Sequence, residues 1–248
     1  ALARRYGARV HVDAAYGGFY AILGRAGAGG LDAAPWRAIA ECDSVVVDPH
    51  KQGLQPYGCG AVLFPDPRAG RHFAHDSPYT YFTDAELHLG EISLECSRAG
   101  AAAAGLWLTL QLLPLTVDGF GRILAANRRA ALRWADLLES SDALELYQRP
   151  DLDIVTYFPV AAGGSLSAID AASDRLLCDG MTAESDPVFL SVLRADAEAF
   201  AARHPGVVRD AEAARVIRSV LIKPESEHYL PVLHARVAEL SALGRTAA

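Results

Sequence analysis

The strongest constraint in the sequence is an apolar run that breaks off and then restarts. Val45-Val46-Val47 stops at Asp48-Pro49-His50-Lys51, and apolar residues resume after Gly58, from Cys59 to Phe64. A continuous β-branched run predicts a strand buried on both faces. Pro49 has no N–H for a sheet ladder and disfavours helix at Asp48, so the strand is expected to end there and the chain to turn. Lys51 then falls just past the carboxyl end of a strand, where open α/β sheets place their ligands. An ammonium between two core strands is costly to bury unless it is paired or neutralised. Two readings stay open on this stretch alone: a lysine that condenses with an aldehyde, or one that snorkels at a sheet edge.

A second segment favours the reactive reading. ARVHVDAAYGG, residues 8 to 18, predicts a strand from Arg9 to Val12, then Asp13 and a glycine-bearing turn. Ala14 and Ala15 beside the acid leave room for something flat. Pyridoxal phosphate needs two protein groups at its ring: a lysine at the aldehyde, and an acid that keeps the pyridine nitrogen protonated so that the ring accepts electrons. Lys51 and Asp13, each at the end of an expected strand, supply both. His50, next to the lysine, is placed to contact the cofactor phosphate or the reacting carboxylate.

HVDAAYGG and DPHKQGLQPYGCGAV resemble the pyridoxal-phosphate-dependent amino acid decarboxylases of the aromatic amino acid and glutamate decarboxylase group, nearest the bacterial tyrosine decarboxylases. KQGLQPY (51–57), SRAGAAAAGLWLTLQLLPL (97–115), RPDLDIVTYF (149–158) and ARVIRSVLIKPES (214–226) carry the latter likeness. The resemblance implies an α/β chain of the aspartate aminotransferase-like (type I) fold. Residues 1–115 would be the C-terminal part of the cofactor-binding large domain, and 116–248 a linking helix with a small C-terminal α/β domain. It also implies decarboxylation of an L-amino acid to the amine and CO2, with an aromatic substrate such as tyrosine. Decarboxylation of an acidic or diamino acid, and a non-catalytic fragment or partner subunit, are the alternatives. By the same resemblance Lys51, His50 and a loop tyrosine, Tyr81 or Tyr79, are catalytic, with Tyr81 preferred. Asp13, Ala15, His50 and Lys51 bind the cofactor, and Tyr57 lines the substrate site. Such a loop closes over a neighbouring subunit's site, which implies a homodimer. In the family a large preceding segment supplies the phosphate-binding loops, so this chain is expected to be a C-terminal half, acting with an N-terminal half or separate subunit.

Composition narrows the partners. The formal charge is −7 with basic residues scattered, which argues against nucleic acid or an anionic membrane surface. Cys42, Cys59, Cys96 and Cys178 are widely spaced without a Cys-x-x-Cys, and read as reduced, mostly buried thiols of a cytoplasmic protein, with no metal centre. No signal peptide is read at the start, and Ala99–Leu115 is too short and too interrupted to span a membrane.

The remaining elements follow from periodicity. Gly24–Gly30 is expected to be a flexible loop, because an anion-binding glycine loop needs a strand before it and a helix start after it. Asp32 caps a helix from Ala33 to Cys42. Residues Ala99–Leu113 read as a core helix, through Leu106, Trp107, Leu110 and Leu113, and Asp118–Ser140 as a long amphipathic one. Strands at Ile154–Phe158, Val188–Leu193 and Val216–Ile222 alternate with helices at Leu166–Cys178 and Glu227–Leu243, predicting a small antiparallel sheet with helices. Arg98 is read as a structural ion pair, and Arg218 as having a cross-strand or surface partner.

Overall fold

The computed structural model describes residues 2–74, 100–161 and 164–246. Tyr79, Tyr81, Cys96 and Arg98 lie outside these residues. Two compact units divide the chain, Ala1–Gly121 and Arg122–Ala248.

The first unit begins with α1 (Leu2–Tyr6), β1 (His11–Asp13), α2 (Ala21–Gly24) and α3 (Ala33–Ala38). It continues through β2 (Ser44–Val47), β3 (Ala61–Leu63) and α4 (Gly100–Leu112). The three strands form one sheet in the order β1-β2-β3, with β1 parallel and β3 antiparallel to β2. The Asp32 carboxylate accepts from the Ala34 N–H at 3.0 Å and starts α3 as expected; a 3-10 turn at Ile39–Glu41 follows it. In the glycine segment Gly27, Gly29 and Gly30 all have positive φ, the backbone that glycine adopts without steric penalty.

Two expectations for this unit are corrected. Strand β2 is only half-buried along its length rather than covered on both faces. Helix α4 contributes no buried residue, and Trp107 is 65% exposed, with Leu108 and Leu112 also open. A helix apolar on every side has no periodicity by which to choose an inward face. Its composition therefore announced burial that the described residues do not provide.

The second unit opens with α5 (Gly121–Glu139), which straddles the boundary, then β4 (Leu144–Gln148), β5 (Ile154–Pro159) and α6 (Leu166–Thr182). Strand β6 (Ser191–Asp196), α7 (Ala197–Arg203), β7 (Ala213–Val220) and α8 (Ser226–Thr246) complete it. All pairings in the sheet β4-β5-β7-β6 are antiparallel, as expected. On α5 the buried positions Leu124, Ala131, Trp134 and Leu138 recur at helical spacing, and the Trp134 ring packs on Tyr157 at 5.2 Å. Strand alternation then sorts the core. Val155, Tyr157 and Ile217 join Trp134, whereas Phe158, Ala214 and Val216 join Phe200 and Ile169.

Among the described cysteines only Cys59 is buried; Cys42 is half-buried and Cys178 exposed, so the expectation of mostly buried thiols is corrected. No helix among the described residues is long and apolar enough to cross a membrane.

The arginine of β7 with carboxylate partners is Arg215, not Arg218. Its guanidinium donates to both Asp170 oxygens, at 2.9 and 2.7 Å, and pairs with Asp174 one helical turn further along α6. No described residue pairs with the Arg218 guanidinium. The Arg215 hydrogen bonds hold the Asp170 carboxyl below its ordinary range, against a smaller opposing effect of burial. A depressed folded-state pKa stabilises above the unfolded value of about 3.9 and loses that contribution as pH falls through the folded value. Asp170→Asn is therefore expected to lower the melting temperature at pH 7. The difference from wild type should vanish as pH falls below the usual carboxylate range, which thermal melts across pH 7 to about 2.5 would read.

Candidate active site

The parallel pairing of β1 and β2 brings two turns to one edge of the sheet. Asp13 is the last residue of β1 and stands in register with Val46, so the chain leaves both strands on the same side. The ladder continues past the strand ends: the Ala14 N–H donates to the Val46 carbonyl at 3.1 Å, and the Asp48 N–H to the Ala15 carbonyl at 3.3 Å. Gln52, 1% exposed, adds a third link, its Oε1 accepting from the Gly17 N–H at 2.7 Å. The Asp13 turn and the Lys51 turn are thus stitched together, as the two expected strand ends require.

Lys51 is not the desolvated amine that a doubly buried strand implied. Its side chain is 36% exposed, and Nζ lies 2.8 Å from Asp48 Oδ2. The turn itself is tightly made. The Lys51 N–H donates to the Asp48 carbonyl at 3.0 Å, and the His50 N–H to the Cys59 carbonyl at 3.1 Å. His50 Nδ1 faces the same Cys59 carbonyl at 2.8 Å; because a carbonyl only accepts, Nδ1 is assigned the proton. Nε2 is then left 3.8 Å from Asp48 Oδ2. Tyr57, 96% exposed, sets its ring 5.0 Å from that of His50.

The floor of the turn is equally constrained. Gln55 Nε2 donates to the Gly53 carbonyl at 3.1 Å and to Thr109 Oγ1 of α4 at 2.9 Å. Leu54 takes a left-handed backbone, φ 57°, a conformation that costs a residue with a Cβ about 1–2 kcal/mol. At Gly53 a Cβ would lie 2.7 Å from the Pro49 backbone and 2.5 Å from Phe19 Cζ. Gly53→Ala is therefore expected to destabilise the fold by about 1–3 kcal/mol, and thermal or urea unfolding checks it.

The site residues expected from sequence are distributed as follows. Asp13, Ala15, His50, Lys51 and Tyr57 lie on the two turns at one sheet edge, Ala15 serving through its backbone. Its N–H donates to Asp13 Oδ1 at 3.1 Å. Asp48, Gln52 and Gln55 were not singled out. The signal was available for the two amides, which follow a lysine between apolar strands where unpaired polar groups are costly.

The residues suit a pyridoxal ring. No described residue pairs with Asp13 Oδ2, which leaves a carboxylate oxygen free for a ring N–H, and the Lys51 amine is reachable from solvent. A cleft of about 440 Å³ lined by Arg9, His11, Asp43 and Arg71 opens at the other, amino-terminal end of β1 and β2, and is not part of this arrangement.

Comparison with known proteins gives the family and the fold. An L-tyrosine decarboxylase of Enterococcus faecium is 33% identical over 152 residues, covering 57% of this chain and 25% of that protein. An aspartate 1-decarboxylase of Aliivibrio fischeri is 32% identical over 158 residues, 63% of this chain and 27% of that protein. The crystal structure of Oryza sativa TDC with PLP and tryptamine superposes with a TM-score of 0.74 at 17% identity, over 97% of this chain and 46% of that one. The fold is thus aspartate aminotransferase-like, and the chain spans about a quarter of the length of these relatives and under half of that structure. Residues 1–158, which include both turns, match the pyridoxal-dependent decarboxylase conserved domain, and the chain belongs to that family, whose members use pyridoxal phosphate.

Proposed function

We propose that the protein carrying this chain decarboxylates an L-amino acid to the amine and CO2, with an aromatic substrate such as tyrosine. The observation that carries this reading is the placement of Asp13 and Lys51 on stitched turns at one edge of a parallel strand pair. When bound, pyridoxal phosphate supplies an aldehyde for amines and a ring that takes up the electron pair left as CO2 departs. Lys51 holds the aldehyde carbon, and Asp13 keeps the ring nitrogen protonated. His50, fixed by Cys59 through Nδ1, faces the phosphate or the reacting carboxylate with Nε2, which donates to either anion when the ring carries a proton on both nitrogens. Tyr57 lines the substrate side, and Tyr81 or Tyr79 returns a proton to the carbon that CO2 has left. In this reading residues 1–115 belong to the cofactor-binding domain and 116–248 to a linking helix and small domain. A homodimer or an N-terminal half completes a cytoplasmic enzyme.

The tyrosine decarboxylase relatives support the aromatic substrate, and the aspartate decarboxylase relative supports an acidic one. Amine and CO2 release from tyrosine, aspartate and 2,4-diaminobutyrate, measured on the whole protein, separates them. Turnover of tyrosine is expected to dominate. Dominance of either other substrate would replace the aromatic assignment, and no release from any would leave the non-catalytic subunit.

A further inference from the structure

We propose that Asp48 is a positioning residue that latches Lys51 until an aldehyde engages it. The inference rests on the reading of Lys51 as the cofactor lysine. Three observations carry it. Asp48 Oδ2 holds Lys51 Nζ at 2.8 Å, and Asp48 is the more buried partner, 17% exposed against 36%. The backbone that carries the carboxylate is fixed: the Asp48 N–H continues the ladder to Ala15 and its carbonyl takes the Lys51 N–H, while Oδ1 lies beside Gly60, 3.3 Å from where a Cβ would stand. His50 Nε2, 3.8 Å from the same Oδ2, is the other titratable group of the described residues at this carboxylate.

An ammonium engaged in an ion pair has no lone pair to offer a carbonyl carbon. The pair must open and Nζ must give one proton to solvent. The nitrogen then bonds the aldehyde carbon, whose oxygen leaves as water. Asp48 thereby orients the amine and restrains its reaction with adventitious aldehydes. Removing the charge releases the amine.

The chain supplies its own control, because Lys51 and Lys223 are its two lysines and Lys223 is exposed. Reductive methylation with 13C-formaldehyde and cyanoborohydride, followed by peptide mass spectrometry, gives the labelling ratio of Lys51 to Lys223. Asp48→Asn, which keeps the size and an acceptor oxygen, is expected to raise that ratio by about twofold to fivefold, the size that fits a pair whose lysine is one-third open to solvent. Asp48→Glu, which restores a carboxylate, brings it back toward wild type. Should the asparagine variant not fold, Asp48→Ser carries the same prediction. An unchanged or lower ratio in a folded variant overturns the latch. The cofactor reading fails separately, if pyridoxal phosphate with borohydride leaves no adduct on Lys51 in either wild type or variant while the formaldehyde ratio still responds.

Discussion

Lys51→Ala is expected to reduce decarboxylation by the protein carrying this chain at least about a thousandfold, because no other group at the sheet edge can bond the aldehyde carbon. The imidazole of His50, next to it in sequence, is tied to the Cys59 carbonyl through Nδ1. The fold should tolerate the change. Lys51 is one-third open to solvent, and an ion pair exposed to this degree is worth less than about 1 kcal/mol. Amine release and cofactor absorbance, read beside a thermal melt, check both halves. Full loss of activity with a melting temperature within a few degrees of wild type is the expected combination.

Asp13→Asn separates the second role from the first. The substitution preserves volume, and an amide oxygen can still accept from the Ala15 N–H that Asp13 Oδ1 takes at 3.1 Å. On the proposed function, what disappears is the negative charge that would keep a pyridine nitrogen protonated, and with it the ring's capacity to accept electrons. Decarboxylation is expected to fall by about 10²–10³-fold, while pyridoxal phosphate still attaches to Lys51. Parallel assays of turnover and borohydride-fixed cofactor measure the two quantities. A variant that decarboxylates at the wild-type rate would remove Asp13 from the chemistry.

Much of this site was legible because the residues that carry it sit at breaks in strong local patterns. A β-branched run ending at Asp48-Pro49 locates a strand end whatever the tertiary context, and the acid after His11-Val12 does the same for its neighbour. The interactions that hold the turns together were harder to read. Asp48 meets Lys51 through a turn, and Gln52 reaches Gly17 across 35 positions of sequence, so neither contact leaves a periodic trace. In the second unit the choice between Arg215 and Arg218 depends on where α6 places Asp170 and Asp174, which strand pattern does not encode. Strand β4 and helix α7 escaped notice because LELYQ and AEAFAAR are short, although Asp196 gives a helix start signal and accepts from the Ala199 N–H at 2.8 Å. Helix α4 shows the converse failure. Its composition reads as core, yet nothing in composition says which surface covers Trp107.

The most direct test of the central claim is where pyridoxal phosphate attaches. The protein is incubated with the cofactor, reduced with borohydride and digested, and the adduct is mapped; within this chain only Lys51 and Lys223 offer a side-chain amine. An adduct confined to the Lys51 peptide is the expected result. An adduct on Lys223 alone, or none on Lys51 in the complete protein, would contradict the assignment of the site.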